Sequence, residues 1–379
     1  MLSVTACTTR PSTPPDDAQV RERAASGPAA QVHDTVRSTL ASWSLSGQPV
    51  RIVLAQPASV SSAPVVIYLP GLGETSAAGE RWRTAWAAAG YAVLSVQLLD
   101  RDAAAWKPDR ARAADSRGLG RERFAGALVG QRVKLLAEVV SQAKARAAAG
   151  EPGWLSLDWN RVAIAGFDLG AYTAMTIAGE HVRYAEDAAG LVQVQAAIAI
   201  SPYASVAAGS FGTRYRDIRL PVLSVTSDVD ADALGVIEAA YLRDAPHAHM
   251  DGPNKYLLWL RGLPHAWLSG HADGVGPQSG ADPDAPAQDS AGSPGSDSRS
   301  PRRGRTRERA GDGGGASIGR DEAAQASLSP SALQLRVMAV QQVSIAFLDA
   351  YLKQDAPARQ WLSVDASRWL GTSGELRRK

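Results

Sequence analysis

Hydrophobic and polar positions fall in blocks along the 379-residue chain. Short apolar runs bounded by turn residues lie at 50–54, 65–69, 92–96, 162–165, 196–200, 222–225 and 256–260. Such runs predict strands buried on both faces of a sheet. Helical spacing fills the intervals. Residues 80–89 end at Gly90-Tyr91, a helix stop followed by a strand entry. Residues 121–148 place Leu128, Val133, Leu136, Val139 and Val140 on one face of a long helix. Further helices are predicted over 232–242 and 333–352. The last carries a stripe of Val337, Val340, Val343, Phe347 and Leu348. Strand alternating with helix predicts an α/β domain with a mostly parallel sheet and helices on both faces.

Composition divides the chain further. Residues 1–30 and 274–329 are rich in Pro, Ser, Gly, Ala and Arg without periodicity, and such stretches bury too little apolar surface to order themselves. The expected organisation is a tether over 1–30, a core over 31–273, a low-complexity insert over 274–329, a closing helix over 330–365, and a tail over 366–379. The Arg302-Arg303-Gly304-Arg305-Thr306-Arg307 run reads as a solvated loop. A net charge of +2 gives no argument for nucleic acid, and no stretch approaches the roughly 20 apolar residues that span a bilayer. One cysteine excludes an internal disulfide framework and a thiolate metal cluster.

That cysteine, Cys7, follows Val4-Thr5-Ala6 and precedes a Thr/Ser/Pro-rich stretch, and the segment resembles a bacterial lipobox. The expectation is a lipid anchor at Cys7 and a place in the cell envelope, with the signal segment upstream of Met1. The alternative is a polar N-terminal tether on a cytoplasmic protein.

The chemistry concentrates at Arg161-Val162-Ala163-Ile164-Ala165-Gly166-Phe167-Asp168-Leu169-Gly170. Strand, sharp turn and helix follow one another there, the grammar of a nucleophile elbow with Asp168 at its tip. The turn aims the Leu169 backbone N–H toward an oxyanion. Downstream, the strand at 222–225 leads to Asp228 and Asp230, of which Asp230 is the better-spaced acid and Asp228 the alternative. The strand at 256–260 then leads to His265. An enzyme built on this set requires His265 within reach of both Asp168 and Asp230. His247 and His249 read as surface residues, and His33, His181 and His271 show no partner in the sequence. No metal or cofactor is expected, and the expected partner is a small-molecule substrate.

Taken together, these segments resemble an α/β-hydrolase of the dienelactone hydrolase-like group, over roughly residues 45–270 and 330–365. Ala346-Phe347-Leu348-Asp349-Ala350-Tyr351-Leu352-Lys353 and Ala358-Arg359-Gln360-Trp361-Leu362 resemble that group's terminal part. The resemblance implies a hydrolase of small esters or lactones. It implies a second oxyanion donor at the Leu72 N–H, in Pro70-Gly71-Leu72-Gly73-Glu74. The group carries Ser or Cys where this chain has Asp168. Aspartate there resembles haloalkane dehalogenases and epoxide hydrolases, in which a carboxylate attacks a saturated carbon. Those families carry a helical cap after the sixth strand and a tryptophan after the nucleophile. Here about twenty residues, 201–220, leave no room for a cap, and Leu169 takes the tryptophan position. Three readings stay open: Asp168 as nucleophile, Asp168 and His265 as general bases for water, and a site that binds a ligand without turnover.

Overall fold

The computed structural model describes residues 17–28, 35–105, 116–188, 190–232, 234–271 and 328–379. Cys7, His33, nearly all of the insert and its arginine run lie outside the described residues.

Nine strands form one sheet: β1 (Val36–Leu45), β2 (Gln48–Pro57), β3 (Ala63–Leu69), β4 (Ala92–Gln97), β5 (Leu157–Phe167), β6 (Ala196–Ile200), β7 (Val222–Ser227), β8 (Lys255–Leu260) and β9 (Gly374–Arg378). Their order is β1-β2-β4-β3-β5-β6-β7-β8-β9. The five pairings from β4-β3 through β7-β8 are parallel. β1, β2 and β9 join antiparallel at the two ends. The protein is therefore α/β with a mostly parallel sheet.

Strand alternation sorts the apolar residues into two cores. Val65, Ile67 and Leu69 of β3 face one layer, with Val129, Val133 and Leu136 of the Gly126–Ala148 helix and the Leu169–Ala178 helix. Val66 and Tyr68 face the other, against Trp82 and Trp86 of the Glu80–Ala88 helix and Val340, Val343 and Phe347 of the Pro330–Leu352 helix. At roughly 25 cal/mol per Å² of buried apolar area, these two layers supply most of the folding drive. The Pro330–Leu352 helix starts cleanly, with Pro330 in its first turn and the Ser329 side chain accepting from the Ala332 N–H. By length and hydropathy it is apolar enough to cross a bilayer, contrary to the expectation that no stretch is. Its stripe is buried in the second core, as in the core helix of a globular domain.

Several expected elements differ. The helix expected over 121–148 is two, Ser116–Arg123 and Gly126–Ala148. The break holds Phe124, whose ring packs 4.6 Å from Tyr203, and Ala125 in an extended conformation. Among the described residues of 232–242 no α-helix forms, and only the start of a short 3-10 turn, Ala240–Asp244, is helical. The Asp232 carboxylate accepts the backbone N–H groups of Leu234 at 3.1 Å, Ile237 at 2.8 Å and Val236, so the side chain competes with helical pairing. Part of the expected N-terminal tether is the Asp17–Ala25 helix, whose Arg23 carbonyl accepts the Trp369 indole N–H at 3.0 Å. The expected tail at 366–379 holds the Ala366–Leu370 helix and β9.

Candidate active site

The site stands at the carboxyl ends of β5, β6, β7 and β8. The parallel register brings their last residues side by side, which makes this edge the place where loops of an open α/β sheet converge.

Asp168 sits between β5 and the Leu169–Ala178 helix with φ 50° and ψ −109°. Few non-glycine residues adopt this conformation, and it is held by the Asp168 N–H donating to the Ile200 carbonyl at 3.0 Å. The flanking glycines allow the turn. A Cβ on Gly166 would run into the backbone of Gly170 and Ala171, and one on Gly170 into the carbonyls of Leu69 and Pro70. Asp168 is buried. Burial pushes its carboxyl pKa up, and the charges of His265 and Arg243 and the Leu169 N–H only partly oppose that rise.

His265 opens a short helix, His265–Leu268, after β8. Its Nδ1 lies 2.7 Å from Asp230 Oδ1, and the imidazole is 21% exposed while the Asp230 side chain is fully buried. Asp230 is held from several sides. The Ser201 hydroxyl lies 2.6 and 2.7 Å from its two oxygens and 2.9 Å from His265 Nδ1. The Thr226 hydroxyl donates to Oδ2 at 2.7 Å. The buried Arg243 guanidinium stands 3.4 Å from Oδ1 and donates to the Asp230 carbonyl at 3.0 Å. Burial alone raises the Asp230 pKa; Arg243, His265 and Ser201 outweigh it and bring it down to about 2. Asp230 is thus an anion at neutral pH, and an anion facing Nδ1 keeps the proton there and leaves Nε2 as the base.

Asp168 and His265 share the edge and interact through charge, and the His265 ring packs 4.9 Å from Phe167. Among the described residues the hydrogen bonds of His265 run from Nδ1 to Asp230 and Ser201, and none joins it to Asp168. Asp228, the alternative acid, is exposed and accepts the Gly262 N–H at 2.6 Å. Leu72 is buried in a turn in which the Gly71 N–H donates to Glu74 Oε2 at 2.7 Å and the Gly73 N–H to the Asp102 carbonyl at 2.9 Å.

Ser201 and Arg243 cannot be read from the sequence because they meet Asp230 across 29 and 13 residues of chain, whereas Thr226, four residues before Asp230, is a local partner that the strand-then-acid pattern does not single out. The one local signal is a serine closing an apolar strand; Ser201 has φ 55°. Among the other described histidines, three differ from expectation. His247 is buried rather than on the surface, and burial together with Lys379 and Arg377 lowers its pKa to about 4. His181 pairs with Asp217 at 2.9 Å and His271 with Glu74 at 3.0 Å, although neither partner was visible in the sequence. His249 is exposed, as expected. No group of three or more His, Cys, Asp or Glu side chains suited to a metal ion occurs among the described residues. No known family model and no curated protein matches the chain.

Proposed function

We propose that the chain is a hydrolase of the α/β-hydrolase fold, acting on a small ester, lactone or related electrophile through Asp168, His265 and Asp230. The observation that carries this reading is the His265–Asp230 contact of 2.7 Å, with Asp230 buried as an anion and the imidazole partly open to solvent. A histidine so held by a buried anion has its other ring nitrogen placed to act as a general base. The order of elbow, acid and histidine along the chain, each after its own strand, supports the fold assignment.

Asp168 is the nucleophile in this reading. One carboxylate oxygen attacks a saturated carbon, the bond from that carbon to its leaving oxygen or halogen breaks with its electron pair, and an ester of Asp168 forms. His265 Nε2 then takes a proton from water, whose oxygen adds to the Asp168 carboxyl carbon. Collapse releases the alcohol, which recovers the proton from His265. Charge on the tetrahedral intermediate develops on the Asp168 carboxyl itself, and the Leu169 N–H that already stabilises the Asp168 anion supports this step.

A second reading has its own observation. No hydrogen bond joins Asp168 to His265 among the described residues, and in this reading Asp168 orients the substrate while water activated by His265 attacks its carbonyl directly.

The test is turnover of p-nitrophenyl acetate, γ-butyrolactone, styrene oxide and a chloroalkane by wild type, Asp168→Asn and His265→Ala. Hydrolysis of at least one, lost by roughly 10²–10⁴-fold in His265→Ala, is the expected result. Silence across the panel, or full activity in His265→Ala, sinks the proposal and leaves a ligand-binding protein.

A further inference from the structure

A cavity of about 30 Å³ lies beside the elbow, on the Leu169–Gly170 side, and its walls include neither Asp168, Asp230 nor His265. By the space one water needs, roughly 10–15 Å³ on this measure, it admits about two waters or the end of a small polar molecule. Leu69, Val96 and Leu98 line it with apolar groups, and Gln97, Asp102, Arg132, Glu74 and Thr173 with polar ones, so two carboxylates and one guanidinium face it.

Two of those side chains each carry one buried atom with no hydrogen-bond partner among the described residues: Arg132 Nη1 and Gln97 Oε1. Both residues are more than nine-tenths buried. The rest of each side chain is fixed. Arg132 Nε and Nη2 donate to the two Asp102 oxygens at 2.8 and 2.9 Å, and Nη2 also donates to the Arg123 carbonyl at 2.9 Å. Gln97 Nε2 donates to Asp100 Oδ1 at 3.2 Å. A carboxylate only accepts, so this contact fixes the amide orientation and leaves Oε1 as the open atom. An unsatisfied donor and an unsatisfied acceptor on one small cavity are costly unless something bridges them.

We infer that this cavity is a binding subsite for a neutral group that accepts from Arg132 Nη1 and donates to Gln97 Oε1: a hydroxyl, or a primary carboxamide. An anion is disfavoured because Asp102 already offsets the Arg132 charge at close range. An acceptor-only group leaves Gln97 Oε1 unpaired. The hydroxyl or carboxamide belongs to a ligand arm, and ordered water alone in the cavity is the outcome that overturns the subsite. If the chain is the hydrolase proposed above, the subsite selects substrates that carry such an arm near the reacting carbon, since it borders the Leu169–Gly170 turn.

The test measures binding without turnover. Full-length wild type, Gln97→Met and His265→Ala are titrated by ligand-observed NMR with glycolamide, which donates and accepts, and with methyl acetate, which only accepts. Glycolamide is expected to bind wild type and His265→Ala alike, and roughly fivefold or more weakly to Gln97→Met, a loss of the size of one hydrogen bond. Methyl acetate is expected to bind all three weakly and equally. Equal glycolamide binding to wild type and Gln97→Met, or binding of methyl acetate as tight as that of glycolamide, overturns the subsite; so does absence of glycolamide binding, which leaves water as the occupant. Gln97→Met keeps the volume and removes no ion pair, and a thermal melt within a few degrees of wild type shows that it folds. Because His265→Ala retains the subsite and loses catalysis, failure here and failure of the hydrolase reading are distinguishable.

Discussion

Two histidine–carboxylate pairs flank the elbow, and they are built differently. His265 meets Asp230 at 2.7 Å and His271 meets Glu74 at 3.0 Å, and in both the carboxylate side chain is fully buried while the imidazole is partly exposed. Asp230 receives two hydroxyls and stands against the Arg243 guanidinium. Glu74 receives the backbone N–H of Gly71 instead. The first set of partners stabilises an anion whose remaining task is to orient an imidazole. The second fixes a turn: a Cβ on Gly71 would come 2.7 Å from Phe167 Cδ1 and 3.2 Å from Glu74 Oε2, so that loop is closely fitted around the elbow. Under the proposed hydrolase reading, the same residue types handle a proton in one place and clamp a loop in the other, and the neighbours decide which.

The sharpest way to break this contrast is to remove each imidazole. His265→Ala is expected to lower kcat/KM by roughly 10²–10⁴-fold, and His271→Ala by less than about tenfold, as befits a residue acting only through loop geometry. Comparable losses in both would erase the distinction. The carboxylates come next, read as stability in urea unfolding. Asp230→Ala leaves Arg243 buried without its anion and is expected to cost about 3–5 kcal/mol. Glu74→Gln keeps an acceptor for the Gly71 N–H and is expected to cost about 1–2 kcal/mol.

How much of this was legible in the sequence follows from how local each signal is. Strands β3 to β8 announce themselves through apolar runs buried on both faces, although in β5 the run begins only at Val162, after the polar and partly exposed stretch at 158–161. β1 does not, since most of its positions are exposed, and β9 does not, since Glu375, Arg377 and Arg378 carry charges at a sheet edge. The apolar spacing of 232–242 suggests a helix, but the Asp232 carboxylate takes the N–H groups that a helix would use. At the site, Asp168, Asp230 and His265 each follow a strand in the expected order, and the meeting of Asp230 with His265 was legible from that order, whereas no hydrogen bond joins Asp168 to His265 among the described residues. Ser201 and Arg243 were not legible: Arg243 Nη1 donates to the Ser201 carbonyl at 2.8 Å across 42 residues of chain, and nothing local encodes that meeting. Glu74 and His271 lie still further apart in the chain.

Acid titration offers a finer test of the Asp230 pair. Its folded pKa, about 2, lies below the ordinary 3.8, so it stabilises the fold at pH values above about 4 and that contribution disappears as pH falls toward 2. The contribution is roughly 2 kcal/mol, and Asp230→Asn should show a correspondingly flatter stability profile between pH 4 and 2 in chemical denaturation. Asp168 carries the opposite sign. Its raised folded pKa means that the protonated form is favoured on folding, so its contribution is present at low pH and is lost as pH rises through the folded value. Asp168→Asn is therefore expected to be the more stable protein at pH 8, by roughly 0.5–2 kcal/mol, the usual size of a single stabilising substitution. The gain should vanish at low pH. A destabilised Asp168→Asn at pH 8 would show that the elbow does not strain its carboxylate.

The central proposal is Asp168 as nucleophile, and isotope transfer tests it directly. A substrate that the panel shows to be hydrolysed is turned over once in H₂¹⁸O with enzyme in excess, and the peptide spanning Asp168 is then examined by mass spectrometry. One ¹⁸O is expected in the Asp168 carboxylate, because water attacks the enzyme ester and the released alcohol carries away an original Asp168 oxygen. Label found only in the product, with the Asp168 peptide unchanged, would contradict it and leave direct attack by water activated by His265 as the chemistry of the site.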